Sequence, residues 1–467
     1  MNETRNDIGV IGLAAMGANL AMNFADRGFR TAVFNRSPER TEALISEYGS
    51  GKNLDPTYTI EAFVASLARP RKIILMVQAG EAVDRVIDSL RPFVDPGDII
   101  VDGGNSFFRD TIRRETSLRE ADIEFVGLGV SGGEEGARRG PSLMFGGSEA
   151  AWEALSPSLR AIAAKDFSGG PCVARLGEGG AGHYVKMVHN GIEYSDMQLI
   201  AESYSLMKDA LRHPNDAIAD RFRSWNEGRL ESFLIEISER IFRATEHDGG
   251  YVVDRILDSA GSKGTGKWTA EESLELGEPS FSLAAAVFAR YASADKERRV
   301  RIAEAYPNHT SEKITFDVDD IERALYAAKL LSYAQGYALL AEASKTYGWN
   351  LDFAEISRIW QGGCIIRARF LADMERLFRG HPEGSDMLLA DGVRETLGAD
   401  LPALRAIVAE ATLAGIAMPG LSSSLSYFDS MSSASLPANL IQAQRDLFGA
   451  HTFRRTESGP AEHFDWQ

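Results

Sequence analysis

Cysteine is nearly absent: Cys172 and Cys364 are the only two in 467 residues, and neither sits at metal-ligand spacing. That count excludes a disulfide framework and a cysteine-based zinc site, and it fits a reducing, cytoplasmic setting. Long hydrophobic runs are missing too. No stretch approaches the ~20 consecutive apolar residues of a membrane span, and the short apolar run near the start is cut by glycine and follows polar residues, so neither a membrane helix nor a signal peptide is expected. Basic runs are also lacking in a chain of net charge −17, which argues against nucleic acid and anionic membranes as partners. Any anionic ligand must therefore be met by a local cluster of cations. What is present is 44% apolar composition, at a length sufficient for two or more domains with proper cores.

The apolar run after Asp7 leads into Gly12-Leu13-Ala14-Ala15-Met16-Gly17 and then an alanine-rich amphipathic stretch as far as Gly28. This reads as strand, tight turn and helix. The next strand is expected at 31–34, giving the βαβ context in which a glycine fingerprint binds a dinucleotide. Glycine at 12 permits the turn, a small residue at 14 lets a pyrophosphate approach, and Gly17 lets the helix pack closely. After the second strand stands Asn35-Arg36-Ser37, without the carboxylate that an NAD enzyme presents to the ribose hydroxyls. A guanidinium with two small hydrogen-bonding neighbours suits a 2′-phosphate, so NADP is preferred to NAD. The bland alternative makes Arg36 a solvated surface charge.

Further apolar runs at 72–77, 99–102 and 124–128 read as successive parallel strands, each followed by a glycine-bearing loop. Two of these loops, Asp102-Gly-Gly-Asn105-Ser106 and Gly129-Val-Ser131-Gly132-Gly133, fall at carboxyl ends of strands, where open α/β sheets bind ligands. Their backbone N–H groups, with the Ser131 hydroxyl, could hold a carboxylate; the plainer reading is that the glycines only make turns. Beyond residues 170–182 strand signals thin out and helical patterns rich in Leu, Ala, Glu and Arg run to about Leu421. The fold class is therefore an α/β Rossmann-like domain over 1–178, a large all-α domain over 179–437, and a C-terminal tail over 438–467. Leu199-Ile-Ala-Glu202 is echoed by Leu339-Leu-Ala-Glu342, a faint sign of internal duplication. The serine-rich stretch 422–435 reads as a loop.

In His183-Tyr-Val-Lys-Met-Val-His-Asn-Gly-Ile-Glu-Tyr194, the residues Lys186, His189, Asn190 and Glu193 fall at i, i+3, i+4 and i+7, which stacks them on one helical face. The intervening Val185, Met187, Val188 and Ile192 are apolar, so the polar stripe faces an interior cleft rather than open water. Buried ionisable groups are functional candidates. The alternative is an internal salt bridge between Lys186 and Glu193. Farther on, Lys263-Gly-Thr265-Gly-Lys-Trp268 places a lysine among small residues suited to an oxyanion, although the order of Gly, Lys and Thr is wrong for a Walker A loop. Arg290 and Lys296 add cations nearby in sequence, or simply coat a helix.

On these segments, with Val130-Ser-Gly-Gly-Glu-Glu-Gly-Ala137 and the ending Leu436-Pro-Ala-Asn-Leu-Ile-Gln-Ala-Gln-Arg445-Asp-Leu-Phe-Gly-Ala-His451-Thr452, the chain resembles the decarboxylating 6-phosphogluconate dehydrogenases along essentially its whole length. The resemblance implies NADP-dependent oxidation of the C3 hydroxyl of 6-phosphogluconate, loss of carbon dioxide, and protonation of an enediol to ribulose 5-phosphate, as in the pentose phosphate pathway. It implies Lys186 as general base and then acid, Glu193 as the acid at C1, and His189 and Asn190 beside them, with no metal. Val77, Gln78, Ala79 and Asn105 would join residues 12–17 and 35–37 around the cofactor. Asn105, Ser131, Gly132, Gly133, His189, Asn190 and Tyr194 would hold the sugar acid, while Lys263, Thr265, Arg290, Arg445 and His451 would gather round its phosphate. In the family the tail threads into the partner subunit, so a homodimer would be a condition for activity; Phe448, Phe453, Phe464 and Trp466 are apolar anchors for such docking. The sequence departs from the family's usual pattern at Gln78, Phe145, Gln361 and 433–435, none of them a proton-transfer position. Three rivals remain: a non-decarboxylating β-hydroxyacid dehydrogenase, which would not need Lys263, Arg290 or Arg445; a non-catalytic NADP-binding protein, which would not need Lys186 and Glu193; and an oxidoreductase acting on another phosphorylated sugar acid.

Overall fold

The structure, a computed structural model, describes residues 5–49, 51–262, 264–307, 314–381, 386–457 and 459–466. Lys263 lies outside the described residues. Eight strands form one sheet: β1 (Ile8–Ile11), β2 (Thr31–Phe34), β3 (Leu54–Pro56), β4 (Lys72–Leu75), β5 (Ile99–Asp102), β6 (Glu124–Ser131), β7 (Ser142–Gly146) and β8 (Val173–Gly177). They lie in the order β3-β2-β1-β4-β5-β6-β7-β8. All neighbours are parallel except β6 and β7. The continuous apolar runs give strands buried on both faces, as helix-covered parallel sheets require. Ile8, Val10, Ile74, Ile99 and Val101 point into one apolar layer, and Ile11, Ile73, Leu75 and Ile100 into the other.

The connection from β2 and β3 crosses back over β1 to reach β4, so the strand order reverses between β1 and β4 and opens a crevice at their carboxyl ends. The α/β domain expected from the sequence is thus present, with three strands that the hydrophobic pattern did not announce. β3 is three residues long and ends in proline, while β7 and β8 mix polar and glycine residues into their runs. β4 ends at Leu75, which leaves Val77 in the loop beyond it.

The rest of the chain is mostly helical, organised by a first long helix, Ala181–Ser205, and a second, Val318–Tyr347, packed against it. The buried Lys329 of the second helix pairs with the buried Asp196 of the first. The echoed quartets 199–202 and 339–342 fall one on each of these two helices. The serine-rich stretch is not a loop over most of its length: Pro419–Met431 is a helix. Leu421 and Tyr427 bury on the core side, and the Ser422 and Ser423 hydroxyls donate back to the Met418 and Pro419 carbonyls, so their polar groups are satisfied within the helix. The buried Glu202 carboxylate accepts the Gly420 and Leu421 N–H groups at 2.6 and 2.8 Å and caps that helix from the first long one. The expected turn-rich tail also contains a helix, Ala438–Gly449.

What presses the first long helix onto the sheet is the lack of side chains at the crossing. A Cβ on Gly182 would run into the Gly127 and Met144 carbonyl oxygens, and one on Gly129 of β6 would lie 2.6 Å from the Lys186 Cβ. Gly129→Ala is therefore expected to destabilise the protein by about 1–3 kcal/mol through overpacking and to lower turnover by displacing Lys186. Gly398→Ala, in an exposed helix position with open space around it, is expected to leave the melting temperature unchanged or raise it. Equal melting temperatures for the two variants would contradict this account of the crossing.

Candidate active site

The nucleotide cradle is built from the β1 turn. Gly12 has φ +95°, and a Cβ there would meet the Met76 carbonyl at 2.5 Å, while one on Gly17 would overlap the Gly12 carbonyl oxygen. Both positions are closed to larger residues, which brings the backbone of 12–17 to the mouth of the crevice. The helix that follows, Ala15–Asp26, starts at Ala14 with no side-chain cap, leaving its first N–H groups open to a pyrophosphate. Leu13 N donates to the Asn35 Oδ1 at 3.0 Å, so the β1 turn and the 35–37 loop are tied together. Arg36 and Ser37 are exposed beside it. Val77 packs under Gly12, and Gln78 is exposed. The donor set and the two side-chain-free positions fit a dinucleotide carrying an extra phosphate on its ribose.

Across the sheet's carboxyl edge, Lys186 is 6% exposed and His189 not at all. The Lys186 Nζ donates to Asn190 Oδ1 at 2.8 Å and to Ser131 Oγ at 3.3 Å. The His189 Nδ1 lies 3.0 Å from Asn190 Oδ1, and its Nε2 3.2 Å from Ser131 Oγ. A neutral imidazole satisfies both contacts if Nδ1–H donates to the amide oxygen and Nε2 accepts from the serine hydroxyl. Burial lowers the His189 pKa well below its ordinary value, and the nearby Lys186 adds to that. The face foreseen from helical spacing therefore exists, but it is not a salt bridge: among the described residues Lys186 makes no ion pair with Glu193. Burial lowers the Lys186 pKa, opposed by the charge of Glu193. Burial also raises the Glu193 pKa, opposed by Lys186 and Arg290. The Glu193 carboxyl stands 3.8 Å from His189 Nδ1. An amine biased toward its neutral form beside an acid biased toward its protonated form is a matched base and acid.

Ser131 ends β6, and Gly132 follows at φ +120° with the Gly363 carbonyl against it. That carbonyl also accepts Ser142 N, and Trp360 sets its ring edge-on to His189 at 5.8 Å. The segment 360–364 therefore floors the site, a contribution that went unread although the Gly362-Gly363 pair marked a tight passage. Cys172 and Cys364 are both free and buried, with each thiol pushed up to about 12 by burial, so neither is a nucleophile here. Asp102 was also missed as a functional group. Its fully buried carboxylate accepts Gly104 N at 3.0 Å and the Ser106 hydroxyl at 2.6 Å, which shapes the loop presenting the exposed Asn105.

Next to Glu193 in the chain, the Tyr194 ring lies under the Arg290 guanidinium at 3.4 Å, and its hydroxyl is 3.3 Å from Ser262 Oγ. Arg290 also donates to the Gly261 carbonyl at 3.0 Å, so it is tied to the loop at Gly261 and Ser262 rather than coating its helix. Lys296 pairs instead with Asp258 at 2.7 Å. Helix Thr265–Leu276 starts at this loop, and the Thr269 hydroxyl donates to the Met187 carbonyl at 2.8 Å where Gly191 leaves room for it. Thr265, Arg290 and Tyr194 are thus brought together. Arg445 and His451 are not among them in the single chain. Both are exposed, and Arg445 bonds within the tail to Gln442.

Comparison with known proteins agrees with this geometry. The family model described as the NAD binding domain of 6-phosphogluconate dehydrogenase matches residues 7–177, and that described as the 6-phosphogluconate dehydrogenase C-terminal domain matches 182–466. Relatives named 6-phosphogluconate dehydrogenase, decarboxylating, include those of Klebsiella pneumoniae, 49% identical with 99% of each chain covered, and of Staphylococcus aureus strain N315, 50% identical with 98% of each covered. The solved structure of Plasmodium falciparum 6-phosphogluconate dehydrogenase, described in apo form, with its cofactor NADP+ and with its substrate 6-phosphogluconate, superposes with a TM-score of 0.94 at 42% identity, covering 98% of this chain and 100% of that one. With both halves matched and near-identical length shared with its relatives, this chain belongs to the decarboxylating 6-phosphogluconate dehydrogenase family.

Proposed function

We propose that the chain oxidises and decarboxylates 6-phosphogluconate to ribulose 5-phosphate and carbon dioxide with NADP, using Lys186 and Glu193 as its proton-transfer pair. The observation that carries this is a buried lysine amine whose hydrogen-bond partners, Asn190 and Ser131, are neutral. Bound NADP supplies a hydride acceptor, held by the 12–17 turn, 35–37, 77–79 and Asn105. Ser131, Gly132, Gly133, His189, Asn190 and Tyr194 orient the sugar acid. As hydride leaves C3, the neutral Lys186 amine takes the C3 hydroxyl proton. When the carboxylate departs as carbon dioxide, the pair from the broken C1–C2 bond forms the C2–C3 double bond and the C3 carbonyl π pair moves onto its oxygen, which regains a proton from the Lys186 ammonium. Asn190, whose Oδ1 accepts from the Lys186 amine at 2.8 Å, keeps that amine in place for both proton transfers. The protonated Glu193 then delivers its proton to C1 of the enediol while the again-neutral Lys186 amine takes the proton back from the enediol oxygen, leaving the ketone of ribulose 5-phosphate.

Lys263, Thr265 and Arg290 meet the substrate phosphate, and the account extends to Arg445 and His451 of a second copy in a homodimer. Support for that comes from the tail's exposure: Leu440, Ile441, Leu447 and Phe448 of helix Ala438–Gly449 are 61%, 59%, 62% and 71% exposed, a surface that favours docking.

The direct assay follows NADPH absorbance and evolved carbon dioxide together. Lys186→Met is expected to lower both by about 10²–10⁴-fold with NADP binding retained, and Glu193→Gln to slow mainly the final pentulose. In the wild type, kcat/KM should fall toward acid as the amine takes up a proton and toward alkali as Glu193 loses one. Full turnover by Lys186→Met, or reduction without gas, would overturn the mechanism. Arg36→Glu should weaken NADP far more than NAD; equal effects would contradict a 2′-phosphate contact. Hybrid dimers reassembled from Lys186→Met and His451→Ala subunits should regain one site with low KM, because the intact tail and the intact lysine then meet. No gain over the parent mixtures would contradict tail exchange.

A further inference from the structure

Among the described residues of the tail, which are otherwise exposed or half-buried, Asp446 alone is buried. Asp446 is fully buried, and its Oδ1 accepts Thr452 N at 2.9 Å and His463 Nδ1 at 3.0 Å, while Oδ2 accepts Phe464 N at 3.1 Å and Trp466 Nε1 at 2.8 Å. These four donors, against the cost of burial, hold the carboxyl far below the usual carboxylate range. The donors come from both ends of a hairpin closed by the mutual backbone bonds of Phe453 and Glu462, with Trp466 set against Phe453 and Phe464. One acidic side chain therefore gathers the whole tail terminus onto the end of helix Ala438–Gly449.

The consequence falls on His451. Its two neighbours, Ala450 and Thr452, are both left-handed, at φ +49° and +60°, a conformation that costs residues with a Cβ and persists only where the surroundings impose it. What imposes it here is visible: Asp446 grips the Thr452 N–H, its own carbonyl accepts Ala450 N at 2.8 Å, and Gln442 Nε2 donates to the Thr452 carbonyl. The same Gln442 accepts Arg445 Nη1 at 3.1 Å through Oε1. Gly449 leaves space for the imidazole to fold over the helix end, since a Cβ there would lie 2.8 Å from His451 Nε2.

We infer that Asp446 is a positioning residue for substrate recognition: by closing the hook it holds His451 and Arg445 in a fixed relative geometry before they reach the phosphate. This rests on the reading that the tail supplies those two residues to a substrate site. The hook is assembled within one chain, so the recognition element is prepared in advance of docking, and ordering entropy is not spent at each substrate encounter.

Steady-state kinetics of the full-length dimer test it. Asp446→Asn turns one face of the carboxylate into a donor facing donors, and KM for 6-phosphogluconate is expected to rise by about tenfold or more with kcat, KM for NADP and dimer mass unchanged. In a double-mutant cycle with His451→Ala, the two effects should fail to add, because Asp446 acts through the histidine. Trp466→Phe removes a single donor and keeps an apolar ring; it should give a smaller rise of the same kind, and it decides the matter should Asp446→Asn fail to fold. If His451→Ala raises KM while Asp446→Asn and Trp466→Phe leave it unchanged, or if the effects are additive, the positioning role is wrong and the tail reading stands. If His451→Ala and Arg445→Ala both leave KM unchanged, the tail reading itself fails and takes this inference with it.

Discussion

The chemistry of this protein depends on how closely one helix can approach one sheet. Helix Ala181–Ser205 crosses β6 and β7 where Gly127, Gly129, Gly146 and Gly182 leave nothing between the two backbones. That approach carries Lys186 into the carboxyl edge of the sheet and takes its amine out of water. An amine in bulk solvent is protonated at neutral pH and cannot serve as a base; here desolvation biases it toward the neutral form, and Asn190 and Ser131 supply hydrogen bonds without a carboxylate's charge. The glycines are thus electrostatic as well as steric features.

A comparison within the molecule shows that the neutral setting is specific to this lysine. Lys329, buried in the second long helix, is matched by the Asp196 carboxylate, which fixes the two long helices against each other. Among the described residues Lys186 makes no ion pair, and Glu193, the carboxyl whose charge opposes the effect of burial on the amine, is itself biased toward the protonated form. The chain's overall −17 charge makes the phosphate end a separate problem. It is answered locally by Arg290, stacked on Tyr194 and bonded to the loop that precedes Thr265. Lys186 is buried while Glu193 and Arg290 are half-buried, so in the proposed mechanism the anion is met by Arg290 rather than by the lysine.

Much of this could be read from residues alone. The turn at 12–17, the parallel strands from continuous apolar runs and the 186–193 face all follow from period and spacing, which are local properties. The salt bridge between Lys186 and Glu193 was an open alternative at that level, because spacing says which side chains share a face but not which atoms touch. Long-range contacts were not legible: Gly363 against Gly132, Thr269 on the Met187 carbonyl and Glu202 capping Pro419–Met431 each join segments far apart in sequence. The serine-rich helix was misread because serine's usual preference for loops was outweighed by burial of Leu421 and Tyr427.

The proposed proton transfers require a Lys186 amine that burial biases toward its neutral form. Nuclear magnetic resonance of the protein with isotope-labelled lysine side chains, with the Lys186 signal assigned by its loss in a substituted variant, reads that charge directly as pH is varied. The account predicts a transition displaced to lower pH than the ordinary lysine value of about 10.4, with the neutral amine present in the range where the enzyme turns over. A Lys186 signal that stays charged up to the ordinary lysine range would contradict it.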